Sequence, residues 1–359
     1  MLFRFPSSIA SRGGRRLFAN ASVSSKPTFP PSASHSFSVF HNNNASASKL
    51  HKYRFTREIG RGTFAQVREA MDDTNRRSVA IKIMNKKQCG KAMCENEVRV
   101  LGELGKKVKH QRFTPVLDLF EDENNLYIVL ELLRGGELFD LVLERGSLEE
   151  AEVAQICRKL LYALRTLHEN GILHRDIKLE NIMLIGAGDG TSHQQDFKLI
   201  DFGLALESQP KEEEDRAGLP EKPFVGTLGY CAPELLDPAT RQYSTASDVW
   251  AVGVVCFILL SGSPPFAVEQ EDDGEESPMT LEQKITAELV QIRATREPSE
   301  WRKLMNTPPW NLISKETKAC VGKMLELDPI RRARIDEVLK DDFIKRFTQA
   351  ADGEFEEFE

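Results

Sequence analysis

The chain changes texture once, and that change restricts its fold more than any other feature. Between Tyr53 and Glu131, short β-rich runs fall at 53–59, 65–71, 78–84, 116–121 and 126–131. Short runs of this composition read as strands. One helical stretch, 91–104, interrupts these runs. After Gly136 the apolar spacing becomes three and four. The clearest helix is 149–170, where Val153, Ile156, Leu160, Leu164 and Leu167 form one stripe. Ser147 with Glu150 offers it a capping box, and Gly171 follows its last turn. Further helices are expected at 246–261, 281–293, 315–325 and 335–347. Strands followed by helices predict an α+β fold in two unequal parts, with a seam near residues 133–136, where ligands tend to bind.

Composition narrows the classes that this body can belong to. The 359 residues carry a net charge of −7, but residues 1–57 hold no Asp or Glu and nine Lys or Arg. The remainder therefore has 39 basic against 55 acidic residues. So acidic a body is a poor match for nucleic acid and would attract basic partners. The six cysteines form no C-x-x-C pair, which reads as reduced thiols rather than a disulfide or zinc framework. The longest apolar run, 249–260, is about half a membrane span and is expected as a buried helix, with no membrane association. Residues 1–50 are rich in Ser, Arg, Asn and Pro and lack a long apolar core, the composition of a mitochondrial or plastid transit peptide. The alternative is a disordered basic tail with no address, leaving the protein cytoplasmic.

Several short motifs carry chemistry. Ile59-Gly-Arg-Gly-Thr-Phe-Ala-Gln-Val67 is a glycine-rich turn between two strands, in which Gly60 and Gly62 let backbone N–H groups approach a polyphosphate. Its third glycine is replaced by Ala65, and a strand follows, which disfavours a dinucleotide-binding turn. Lys82, in Val-Ala-Ile-Lys, lies on an apolar strand. It could snorkel from a sheet edge, or it could bind phosphates when held by an acidic partner. Glu97 on the next helix is the candidate partner, whereas Glu95 lies on another helical face and is expected in solvent. Then come His174-Arg-Asp-Ile-Lys-Leu-Glu-Asn181, Leu199-Ile-Asp-Phe-Gly203, Gly226-Thr-Leu-Gly-Tyr-Cys-Ala-Pro-Glu234 and Asp248-Val-Trp250. The oxygen ligands Asn181 and Asp201 suit Mg²⁺ arriving on phosphate.

In this order the motifs resemble those of eukaryotic protein kinases, over roughly residues 53–347. The resemblance implies a two-lobed protein kinase fold, with a small β-rich lobe at 53–133, a larger helical lobe at 134–347, and an acidic tail at 348–359. It implies ATP and Mg²⁺ as cofactors and protein substrates. Asp176 would accept or orient the substrate hydroxyl proton, and Lys178 would neutralise the phosphoryl group in flight. Asn181 and Asp201 would hold metal, while Lys82 would grip the α- and β-phosphates beside Glu97. Ile59, Gly60, Gly62, Val67, Ala80, Glu131, Leu133 and Glu137 would surround the nucleotide, with Leu130 as gatekeeper. Glu234 would pair with an arginine near the C-terminus, here Arg332, and Asp248 would brace the catalytic loop.

Lys178 and Thr227 resemble the Ser/Thr class rather than tyrosine kinases. Gly135-Gly-Glu-Leu-Phe-Asp140 adds a likeness to the calcium/calmodulin-dependent kinase group. In that group Glu137 and Glu180 would receive an arginine upstream of the target, implying a basophilic preference; alternatively Glu137 touches only the ribose. Arg175 marks the class whose catalytic loop is ordered by a phosphate, yet residues 204–225 offer only Ser208. Glu212, Glu213, Glu214 and Asp215 could stand in for it, or form a solvated acidic loop. No basic amphipathic helix and no Ca²⁺-binding loop is expected after residue 347, so no direct calmodulin or calcium control. A pseudokinase reading would be favoured by loss of Lys82, Asp176 or Asp201, all of which are present. The 226–234 segment, which positions a polypeptide in the family, argues against a small-molecule kinase.

Overall fold

The computed structural model describes residues 49–62, 65–107, 111–186, 196–207, 224–236, 241–265, 305–306 and 308–348. The basic tail, residues 63–64 of the glycine-rich motif, the stretches 186–195 (beyond Gly186 itself) and 269–277 that the sequence suggests as surface insertions, the acidic run at 212–215, the expected helix 281–293 and the C-terminal tail lie outside them. The fold is α+β, with a β-sheet unit and a helical unit. Among the described residues, the β-sheet unit takes 49–136 with 183–207, and the helical unit takes 137–182 with those from 224 onward.

In the β-sheet unit, five antiparallel strands run in the order β1-β2-β3-β5-β4. They are β1 (Tyr53–Arg61), β2 (Ala65–Asp72), β3 (Arg77–Asn85), β4 (Val116–Glu121) and β5 (Asn125–Glu131). Alternation along β3 decides which side chain does what. Val79 and Ile81 are fully buried in a core with Tyr53, Ala70, Phe120, Tyr127 and Val129, while Ala80 and Lys82 project from the opposite face. Register places Lys82 between Val67 and Ile128, and Ala80 between Glu69 and Leu130. The rings of Tyr53, Phe120 and Tyr127 stack in series, with centroids 5.8 and 4.9 Å apart. Such pairs contribute about 0.5–1.5 kcal/mol beyond their buried area.

Asn85 ends β3 and caps the short helix α1 (Lys86–Cys89), its side chain accepting from Lys87 N and Gln88 N. Then follows α2 (Lys91–Lys107), which buries Met93, Cys94, Glu97, Val98, Leu101 and Leu104 at helical spacing. Two short strands, β6 (Ile182–Leu184) and β7 (Phe197–Leu199), pair with each other. Leu184 N donates to Gly136 O and Gly135 N to Leu184 O, which ties β6 to the end of the strand region.

The helical unit contains α3 (Leu138–Arg145), α4 (Glu150–Glu169), α5 (Thr245–Ser261), α6 (Lys315–Met324), α7 (Ile335–Leu339) and α8 (Asp342–Thr348). The apolar run at 249–260 forms most of α5, which is buried on all sides and capped by Ser244 and Ser247. A helix apolar all round belongs at the centre of a core, and α5 packs against both α4 and α6. Two expectations need correction. The box at the start of α4 is formed by Glu149 and Glu152, not by Ser147 and Glu150. Glu150 is drawn away by Ser314 and Thr317 at the start of α6. The expected helix 335–347 is broken at Lys340 and Asp341, because the Asp341 carboxylate accepts from Phe343 N and starts a new helix. All six cysteines are buried free thiols. Among the described residues, no helix is long and apolar enough to cross a membrane.

Candidate active site

The sequence-selected residues fall into two clusters, one in each unit. In the β-sheet unit, Lys82 Nζ lies 2.6 Å from Glu97 Oε1 and 2.8 Å from Asp201 Oδ1. Strand β3 supplies the lysine, α2 the glutamate, and the turn after β7 the aspartate. Burial would depress the Lys82 pKa, but the Asp201 and Glu97 carboxylates hold it above its ordinary value. For Glu97, burial outweighs the pull of Lys82, and its pKa is raised. Its second oxygen, Oε2, is buried without a hydrogen-bond partner among the described residues. Asp201 sits at φ +66° and also accepts from Gly203 N at 3.1 Å. A Cβ at residue 203 would lie 3.2 Å from both Glu97 Oε2 and Asp201 Oδ1, so glycine there keeps the carboxylates in place.

Around this charge cluster the sheet presents an apolar face. Val67, Ala80 and Leu130 share it with Lys82 by strand register, and Ile59 is 40% exposed at the end of β1. Gly60 pairs with Val67, and Gly62 N donates to Ala65 O, closing the described base of the glycine turn. Glu131, at the end of β5, takes an ion pair from Lys198 on β7, and Leu133 follows it half-buried. Glu95 on α2 is half-buried rather than solvated.

In the helical unit the second cluster gathers around Asp176. Its Oδ1 accepts from Thr227 Oγ1 at 2.7 Å, and its Oδ2 accepts from Asn181 Nδ2 at 3.0 Å. Lys178 Nζ lies 2.8 Å from Asp176 Oδ2 and donates to Thr227 Oγ1 at 3.0 Å. Asp176, Asn181 and Thr227 are each less than a tenth exposed. With its Nδ2 committed to Asp176, Asn181 presents Oδ1 at the other end of the amide. Glu180 accepts from Tyr230 Oη at 3.3 Å, and burial raises its pKa. Glu137 caps the start of α3 by position, without a side-chain capping bond.

The loop that carries Asp176 is held from below by Asp248 in the first turn of α5. Asp248 Oδ2 accepts from His174 N at 3.0 Å and pairs with His168 Nε2 at 2.8 Å; Oδ1 accepts from Arg175 N at 3.0 Å. Burial would raise the Asp248 pKa, but the His168 contact and these N–H donors hold it below the usual carboxylate value. Glu234 and Arg332 form a buried bidentate pair at 2.7 and 2.8 Å, with the guanidinium also over the Trp250 ring. Burial lowers the Arg175 pKa to about 10. Sequence reasoning missed three participants, namely His168, Lys198 and Tyr243. Each is a single common side chain outside any motif, so no local pattern announced it.

Each cluster by itself carries groups that phosphoryl transfer uses: a cation set between two carboxylates in the β-sheet unit, and a buried aspartate with hydroxyl, amide and ammonium donors in the helical unit. Residues 53–344 match the protein kinase domain, and the chain belongs to that family. It is 35% identical over 295 residues to calcium/calmodulin-dependent protein kinase type I of Schizosaccharomyces pombe, covering 82% of this chain and 78% of that protein. With myosin light chain kinase A of Dictyostelium discoideum the identity is 33%, covering 82% of this chain and 88% of that protein. With calcium-dependent protein kinase 24 of Arabidopsis thaliana it is 31%, over 83% of this chain but only 46% of that protein. The chain is thus a eukaryotic Ser/Thr protein kinase that uses ATP and falls, by its catalytic domain, in the calcium/calmodulin-dependent kinase group.

Proposed function

We propose that this kinase transfers the γ-phosphate of Mg·ATP to Ser and Thr of proteins carrying basic residues near the target, with Asp176 as the base. The observation that carries the reading is the Thr227 hydroxyl, which donates to Asp176 Oδ1 at 2.7 Å as a substrate hydroxyl would. Asn181 Nδ2 and Lys178 Nζ fix the orientation of the carboxylate, and Lys178 adds positive charge where the phosphoryl group becomes more negative. Lys82 would hold the α- and β-phosphates, its direction set by Glu97. Ile59, Val67, Ala80, Leu130 and Leu133 offer apolar surface for the adenine, Gly60 and Gly62 bare backbone for phosphate, and Glu131 with Glu137 polar groups for the rest of the nucleotide.

The donor chemistry of Asn181 and Asp201 fits a hard divalent cation, since both supply oxygen. Such an ion, when bound, would neutralise phosphate charge. The deprotonation at Asp176 and the cationic support from Lys178 and Lys82 belong to the chain itself.

Glu137 and Glu180 support the basophilic preference, because a half-buried carboxylate such as Glu180 gains by pairing with an incoming guanidinium. Residues 1–50 are a separate matter. We read them as a transit peptide, and a diffuse cytosolic signal from their fusion to a fluorescent reporter would remove that reading.

The test is phosphate transfer from Mg·ATP to a serine peptide with arginine three residues upstream, using unphosphorylated protein made in bacteria. Transfer that an Asp201→Ala control abolishes supports the proposal. No transfer despite intact ATP binding supports a pseudokinase, or an enzyme that needs an activator.

A further inference from the structure

Tyr243 stands immediately before the cap of α5, and its hydroxyl makes two hydrogen bonds to one residue. It donates to Val225 O at 2.8 Å and accepts from Val225 N at 2.6 Å. Its ring lies under Arg175, with the guanidinium carbon 5.0 Å from the centroid. Two residues beyond Val225, Thr227 reaches Asp176. Between them, Gly226 adopts φ +123°, and a Cβ there would stand 2.8 Å from Arg175 O. The 225–227 segment therefore runs in contact with the main chain of the catalytic loop. Arg175, Asp176, Val225, Thr227 and Tyr243 line one small cavity.

We propose that Tyr243 is a positioning residue for phosphoryl transfer, clamping the 225–227 segment so that the Thr227 hydroxyl meets Asp176. A hydroxyl that both donates and accepts is fixed in direction, and the side chain has only two torsions to order. Its base is the N-terminal end of α5, a helix buried on every side, so the clamp transmits little slack. The clamp forms in the unmodified chain. This assignment rests on the reading of Asp176 as the base, and it acts through Thr227 without touching substrate.

The experiment is a double-mutant cycle on the full chain, measuring kcat, KM for ATP and melting temperature for Tyr243→Phe, Thr227→Ala and the pair. Tyr243→Phe keeps the ring under Arg175 and removes the clamp. It should fold, leave KM for ATP unchanged, and lower kcat by about three- to tenfold, the range that one net hydrogen bond spans. In the Thr227→Ala background the same change should alter kcat less than about twofold, because the hydroxyl being positioned is already gone.

Additive effects in the two backgrounds, or an unchanged kcat in Tyr243→Phe, would overturn the proposal. So would a Tyr243→Phe protein that does not fold, since that marks the residue as purely structural. An Asp176→Asn control separates the two levels. If it keeps wild-type kcat, the base assignment fails whatever Tyr243 does.

Discussion

Lys82 Nζ is 2.6 Å from Glu97 Oε1, and both side chains are almost wholly withdrawn from water. A buried pair of this kind is a strong constraint and a poor source of net stability, because desolvation offsets most of the attraction. Removing one partner is different. Lys82→Met should leave Glu97 as an uncompensated buried carboxylate, costing about 3–5 kcal/mol and lowering kcat by orders of magnitude. The pH dependence gives the sign. The Glu97 pKa is already raised by burial, and losing Lys82 raises it further. A carboxyl raised in the folded state favours folding below its unfolded pKa, and that contribution is lost as pH rises through the folded value. The deficit against wild type should therefore narrow as pH falls towards the ordinary carboxylate range. Thermal melts with a pH-independent gap between the two proteins would contradict this account.

Asp248 behaves in the opposite way. Its depressed pKa means that its ionised form stabilises the fold at neutral pH, and this is lost as pH falls through the depressed value. Asp248→Asn puts an amide where three donors converge, so at least one must lose its acceptor. We expect a loss of about 3 kcal/mol at pH 7. The gap to wild type should stay constant down to about pH 4 and close only below it. Loss of kcat with little change in KM for ATP should accompany it, since Asp248 contacts the backbone of the loop that carries Asp176. A variant that melts with wild type at pH 7 would show that the brace is dispensable.

Much of this was legible because the chemistry is local. Asp176, Lys178 and Asn181 sit within six residues, and Lys82 and Glu97 are only 15 positions apart. What could not be read depends on distant packing. His168 meets Asp248 across 80 positions, and Lys198 meets Glu131 across 67. The sequence offered Ser147 with Glu150 as the box that begins α4, but Ser314, 164 residues away, claims Glu150. The periodicity at 335–347 likewise ran through Asp341, whose capping of Phe343 overrode it.

Glu180 supplies a prediction about substrate. Its pKa is raised by burial, and Tyr230 is its nearest hydroxyl donor. If it receives an arginine, Glu180→Gln should raise KM for an Arg-x-x-Ser peptide by about tenfold and change KM little for an alanine analogue. In wild type the arginine preference should weaken as pH falls, because protonation removes the charge. A raised pKa places that loss above the range of an ordinary glutamate. Equal effects of Glu180→Gln on both peptides would remove the residue from the recognition site.

Gly226 concentrates the demands of the catalytic region in one position. At φ +123° any other L-residue is strained, and a Cβ would press on Arg175 O at 2.8 Å, a backbone atom that cannot swing away. Gly226→Ala should therefore cost about 1–3 kcal/mol of stability, the range for such backbone strain. It should also push the segment off the catalytic loop, stretching the contact between Thr227 and Asp176, so kcat should fall by more than the melting shift accounts for. Gly229→Ala is the matched control. A Cβ at 229 meets nothing within 4 Å, so its melting temperature should stay near that of wild type. If Gly226→Ala melts with Gly229→Ala and keeps full kcat, then the segment can yield. The close approach at Arg175 would then not be what seats Thr227.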